Sequence, residues 1–128
     1  MLKEKNKIFG LDRIDSNQHI LVVEGPIDSL FLDNCLAVAG ADFKLDIDEK
    51  DYTVIYDNEP RNVEIIRRME KSIEQNQSIV IWPDNIEEKD INDMILSGKT
   101  SVEIHRIISK NTFSHLHAKT RLINWKKI

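Results

Sequence analysis

The residues of this chain best suited to chemistry are acids that follow short apolar runs. Ile20-Leu21-Val22-Val23 leads into Glu24-Gly25-Pro26-Ile27-Asp28. Tyr52-Thr53-Val54-Ile55-Tyr56 leads into Asp57-Asn58-Glu59-Pro60. Ser78-Ile79-Val80-Ile81-Trp82 leads into Pro83-Asp84, with Lys89-Asp90-Ile91-Asn92-Asp93 close behind. Runs this short and apolar, rich in Val and Ile, read as strands buried on both faces. Parallel strands bring their carboxyl ends to one edge of a sheet, the edge where open α/β sheets bind ligands. Acids converging there form a shared site suited to a divalent metal. Asp57 and Glu59 are two apart, so in an extended segment both point the same way and can hold one hard cation.

Each acid also has a plainer explanation. Asp-Asn-Glu-Pro is good turn chemistry, and Asn62 can cap the helix behind it. Asp90, Asn92 and Asp93 open a helix, where capping and the helix dipole favour them without a metal. Asp28 lies in a first helical turn and is favoured for the same reason. Glu24 is harder to explain this way, because Glu is a poor cap and Gly25 intervenes before Pro26. Carboxylates at all three junctions, Glu24, Asp57 with Glu59, and Asp90, carry the metal reading together.

The elements that must position these acids alternate between strand and helix. Strands are expected over His19–Val23, Cys35–Ala39, Tyr52–Tyr56 and Ser78–Trp82. Gly25 supplies the first turn, and Pro26 suits the first position of a helix reaching about Asp33, with Ile27, Leu30 and Phe31 on one face. Residues 41–51 are a polar, acidic connection. A helix over Asn62–Gln75 places Val63, Ile66, Met69 and Ile73 at helical spacing, with Arg67, Arg68 and Lys71 on its exposed side. Ile91, Met94, Ile95 and Leu96 form a short helix ended by Gly98. Thr100-Ser101-Val102-Glu103 fits a capping box, with Val102, Ile104, Ile107 and Ile108 behind it. A last helix over Ser114–Trp125 carries Leu116, Leu122 and Trp125. Such alternation predicts an α/β fold with a mostly parallel four-stranded sheet flanked by helices and followed by a helical tail.

The 128 residues suit one domain, and the 41% of hydrophobic residues suits a packed core. No apolar run approaches the ~20 residues of a membrane span, and no signal peptide is visible, so no membrane partner is expected. Cys35 is the single cysteine, which excludes a disulfide framework or a cysteine zinc site and suits a reducing cytoplasm. His115 and His117 have no acid or cysteine beside them, and Trp82 and Trp125 read as packing residues. The absence of a Gly-rich phosphate loop argues against a nucleoside triphosphatase of that type. The net charge of −4 is uneven: after Glu103 there are six basic residues and no acid. Arg121, Lys126 and Lys127 in that tail are candidate phosphate contacts, against the alternative of an ordinary solvated helix.

Taken in order, Val23-Glu24-Gly25-Pro26-Ile27-Asp28-Ser29-Leu30, Tyr56-Asp57-Asn58-Glu59 and Lys89-Asp90-Ile91-Asn92-Asp93 resemble the motifs of the Toprim domain. That domain is shared by DnaG-type primases, type IA and type II topoisomerases and some nucleases. Glu59 stands where Asp is usual in its second motif. The wording Tyr-Asp-Asn-Glu-Pro-Arg-Asn and Lys-Asp-Ile-Asn-Asp-Met is similar to the carboxyl-terminal part of primases of T-even-like phages, which extends the match to Trp125. The resemblance implies a Toprim-like, Rossmann-type fold, with a polar lead-in over 1–18, a Toprim domain over 19–99 and a basic helical extension over 100–128. It implies that Glu24 manages the proton of a 3′-hydroxyl. Asp57 and Glu59 would hold Mg²⁺ (or Mn²⁺), Asp90 would help with a second ion, and Gly25, Asp28 and Asn92 would support them.

The function so implied is primer synthesis by metal-dependent nucleotidyl transfer during phage DNA replication. The partners implied are single-stranded DNA, ribonucleotides and a replicative helicase, in the cytoplasm of an infected bacterium. The larger primases of this kind carry an amino-terminal zinc-binding module, so this chain is expected to be a fragment, one piece of a split gene, or a stand-alone protein. The alternatives are a Toprim nuclease built on the same acids, and a non-catalytic module that binds DNA or helicase.

Overall fold

The computed structural model describes residues 7–39 and 48–128. Its strands are β1 (Lys7–Phe9), β2 (Ile20–Val23), β3 (Cys35–Ala39), β4 (Tyr52–Ile55), β5 (Ser78–Val80) and β6 (Thr112–Phe113). Its helices are α1 (Pro26–Ser29), α2 (Val63–Glu74), α3 (Ile91–Leu96), α4 (Ser101–Lys110) and α5 (His115–Trp125). Most of the expected acidic connection, residues 41–47, lies outside the described residues, as does the lead-in up to residue 6.

The strands form one six-stranded sheet in the order β1-β3-β2-β4-β5-β6. The pairs β2/β3, β2/β4 and β4/β5 are parallel, while β1 and β6 pair antiparallel at the two edges. The expected four-stranded sheet is therefore corrected to a six-stranded mixed one. The two extra strands have three and two residues. Strands so short have no room for the alternation or the apolar run that reveals a strand in a sequence. The first falls within the expected lead-in and the second within the expected extension.

Alternate side chains of the central strands enter opposite cores, as the two-residue period of a strand requires. Ile20, Val22, Tyr52, Val54 and Ile79 meet Ile66, Met69 and Ile73 of α2 and Leu122 and Trp125 of α5 on one face. Leu21, Val23, Cys35, Ile55 and Val80 meet Ile91 and Met94 of α3 and Ile104 and Ile108 of α4 on the other. Both α4 and α5 thus supply core residues to the layers that cover the sheet. Tyr52 and Tyr56 are buried with their hydroxyls satisfied, by Gln77 Nε2 at 3.0 Å and by Ser72 Oγ at 2.6 Å.

Several helix faces differ from expectation, Leu96 of α3 and Val102 of α4 also being exposed. Helix α1 ends at Ser29, short of Asp33, because the next amides bond three residues back, Leu30 N to Ile27 O and Phe31 N to Asp28 O. Ile27 and Leu30 are consequently 59% and 58% exposed, and the chain turns to place Leu32 in the core instead. In α2, Val63 is exposed and Ile65 is buried in its place; in α5, Leu116 is exposed and Ala118 is buried. No helix among the described residues is long and apolar enough to cross a membrane.

Helix ends follow the sequence more closely. Gly98 has φ +110°, a left-handed conformation costly for other residues, and Lys99 N donates back to the Met94 carbonyl across it. Thr100 Oγ1 accepts from Glu103 N at 3.1 Å, and Glu103 Oε1 accepts from Thr100 N at 2.8 Å. This capping box holds α4 against the second core. Thr100→Ala should lower stability by about 1 kcal/mol, read from urea unfolding.

Candidate metal centre

The two crossovers that leave the sheet's centre run in opposite directions. From β2 the chain passes through α1 to β3, and from β4 it passes through α2 to β5. Right-handed crossovers place α1 and α2 on opposite faces and open a crevice at the carboxyl ends of β2 and β4. Glu24 and Asp28 follow β2, and Asp57 follows β4. Asp90 caps α3 at the end of the loop that follows β5.

One carboxylate oxygen from each of Asp28, Asp57 and Asp90 lies within 4.8 Å of the other two. Backbone amides orient two of the three. Asp28 Oδ1 accepts from Asn92 N at 2.9 Å, and Asp90 Oδ1 accepts from Asp93 N at 2.8 Å. Capping, the plainer explanation for Asp90, is thus real, but it uses one oxygen and leaves the other. Gly25 is extended, with φ −95°, so it serves close approach and not a left-handed turn. A Cβ there would sit 3.3 Å from Asp28 Oδ2. Asn92 contributes through its main chain, as the amide that holds Asp28.

Asn58 sets the spacing of the group. Its side-chain amide donates to the carbonyls of Ile86 (2.8 Å) and Glu88 (3.1 Å), and its main-chain amide donates to Lys89 O at 2.6 Å. Its Oδ1 accepts from Trp125 Nε1 at 3.3 Å. Asp57 and Asp90 are the chain neighbours of the bonded pair Asn58 and Lys89, so this clamp carries one acid to the other. Trp82 Nε1, donating to Tyr56 O at 2.9 Å, fixes the strand end just before Asp57. Nothing in the sequence singled out Asn58, since a turn residue and a clamp look alike there.

The remaining candidates fall around this group. Glu24 is half-buried and ion-paired through Oε2 to Nη1 of Arg68. Arg68 is thus turned toward the crevice, whereas helical spacing had put it on the solvent side of α2. Glu59 is not one of the three grouped acids; its carbonyl accepts from Asn62 N at 3.0 Å, and its charge is felt at Asp57. In the tail, Arg121 stacks over Phe113 at 5.0 Å, and Lys126 lies 3.8 Å from Glu70 of α2. Lys127 N donates to Pro60 O at 2.8 Å, and Lys127 lines a cleft with Asn58, Pro83 and Asp84.

Burial and mutual repulsion define the electrostatics. Desolvation, followed by the charges of Asp28, Asp90, Glu59 and Glu24, pushes Asp57 up to about 7. Desolvation also raises Asp28, against the help of the Asn92 amide, and raises Glu24, against the attraction of Arg68. A donor set made only of carboxylate oxygens, crowded enough to hold protons, suits a hard cation such as Mg²⁺ or Mn²⁺.

These shifts fix the sign of a pH effect. The folded protein keeps a proton on Asp57 up to about pH 7, while the unfolded chain loses it near 3.8. The folded state therefore binds more protons across that window, and stability falls as pH rises through it. Glu24 and Asp28 act in the same direction. Without divalent ions the melting temperature should fall from about pH 5 to about pH 8, and saturating Mg²⁺ or Mn²⁺ should oppose the fall because the cation binds the ionised acids. Asn58→Ala should cost about 1–3 kcal/mol by stranding carbonyl groups, and should weaken Mn²⁺ binding at least about tenfold in calorimetry.

No protein-family model matches the chain. Over 129 aligned residues, 98% of this chain, it is 37% identical to the DNA primase of Enterobacteria phage T4. The chain spans 37% of the length of that protein. A sequence whose acids gather at the switch point of an α/β sheet is thus, over nearly its whole length, related to a phage DNA primase.

Proposed function

We propose that this chain carries a Toprim-type catalytic centre that makes RNA primers on single-stranded DNA during phage replication. The observation that carries the reading is the convergence of Asp28, Asp57 and Asp90 at the carboxyl edge of the sheet, in a sequence related to a primase. Asp57 and Asp90, with Asp28 beside them, would hold Mg²⁺ or Mn²⁺, and Glu59 would bias the site by its charge or complete it as a ligand. A cation bound there neutralises phosphate charge and favours ionisation of the attacking hydroxyl. Glu24 accepts the proton of the 3′-hydroxyl, a role its raised proton affinity suits. Gly25 and Asn92 keep Asp28 in place.

Residues 19–99 would form the catalytic unit, and 100–128 an addition folded into the same layers. Arg121, Lys126 and Lys127 would grip the phosphates of the template strand, with Lys127 best placed because it lines the cleft beside the metal loops. Ribonucleotides, a single-stranded template and a replicative helicase would be the partners, in the cytoplasm of the infected host.

Incubation with single-stranded DNA, labelled ribonucleotides and Mg²⁺ tests the reading. Joined ribonucleotides support it. Degraded DNA would assign the same acids to a nuclease, and DNA retention without turnover would mark a binding module. Glu24→Gln should reduce ribonucleotide joining by about 10²–10⁴-fold while leaving Mg²⁺ binding intact, since the amide keeps the shape but cannot accept a proton. Joining at an undiminished rate would remove Glu24 from the chemistry.

A further inference from the structure

Arg68 is a cation set beside the acidic group and paired to one of its members. Its Nη1 holds Glu24, and its Nε is buried with no hydrogen-bond partner. The carboxylate of Glu64, one helical turn earlier, stands 4.0 Å from that Nε. Buried donors in folded proteins almost always have partners, so an orphaned one marks a place where a partner is expected. A guanidinium presents a planar fork of donors that matches the oxygens of a phosphate, and Arg68 commits only part of that fork to Glu24. The pair lies beside Asp57, whose carboxyl feels the charge of Glu24, and beside Tyr56, which feels both partners.

A carboxylate held by a guanidinium is a weaker proton acceptor than a free one. We propose that Arg68 is the residue that grips the polyphosphate of an incoming nucleotide. In the empty site it rests on Glu24; an arriving phosphate competes for the guanidinium and draws it away. Glu24 is then released as an acceptor only when substrate is seated. This rests on the reading of the site as a nucleotidyl-transfer centre and gives it a specific substrate contact, the phosphate chain of a nucleoside triphosphate. The geometry makes Glu24 and a phosphate oxyanion alternatives to one another at Arg68, and that competition can be measured by binding alone.

The test uses equilibrium binding of ATP, once with Mg²⁺ and once with a chelator, beside binding of Mg²⁺ alone. Arg68→Ala should weaken ATP binding about tenfold or more, with Arg68→Lys restoring part of it. Glu24→Gln should tighten ATP binding, because the competing carboxylate is gone. Mg²⁺ alone should bind Arg68→Ala no more weakly than the unaltered protein, since a nearby positive charge has been removed. The proposal is overturned if ATP binds the unaltered chain in neither condition, if Arg68→Ala binds it undiminished, or if Glu24→Gln fails to tighten it. Loss of Mg²⁺ binding in Arg68→Ala would make the residue a structural strut and would equally overturn it. A short oligothymidylate that shows the Arg68 dependence when ATP does not would overturn the assignment to a nucleotide. Because the chelated arm needs no metal, failure of Mg²⁺ to bind the unaltered chain would count against the metal site and not against Arg68.

Discussion

Three carboxylates drawn to within 4.8 Å of one another repel, and the surroundings must hold them against that force. Asn58 does most of this work. It uses both amide hydrogens, its side-chain oxygen and its main-chain amide to join the loop after β4 to the loop after β5 and to α5. The separation of Asp57 and Asp90 is thereby fixed by bonds that involve neither acid. The amides of Asn92 and Asp93 orient Asp28 and Asp90 in the same indirect way. Burial first, and then the charges of its neighbours, make Asp57 hold its proton firmly. A cation bound there would meet ligands already gathered, and would relieve their repulsion without having to assemble them.

Much of this was legible in the sequence, and the boundary of legibility has a physical cause. Buried parallel strands are continuous apolar runs, so β2 through β5 could be placed, with Cys35–Ala39 matched residue for residue. The capping box and Gly98 are local chemistry and could be read from neighbours. Edge strands of two or three residues leave no periodic signal, so β1 and β6 went unseen. Asp28 stood with the supporting residues because an acid in a first helical turn already has a sufficient explanation in the helix dipole. Asn58 and Arg68 take their meaning from partners 28 to 67 and 44 residues away, respectively, and no local pattern encodes those.

Charge shows the same gap between chain and space. Along the sequence, the acids stop at Glu103 and the bases continue beyond it. In the fold, α5 lies against α2, so Lys126 finds Glu70, and Arg121 is spread over the ring of Phe113. Part of the tail's basic character is absorbed where the helix packs. Lys127 keeps its place in the cleft because its own main chain is tied to Pro60. A count of charges by segment overstates the field that a strand of nucleic acid would meet.

The bond between Asn58 and Trp125 spans 67 residues. A clamp that reaches so far along the chain can close only after α5 has folded onto the sheet. Contacts of such long range are formed late, since the loop they close costs entropy that only the surrounding packing can offset. The bond from Trp125 is thus the part of the Asn58 clamp that depends on the last helix of the described structure.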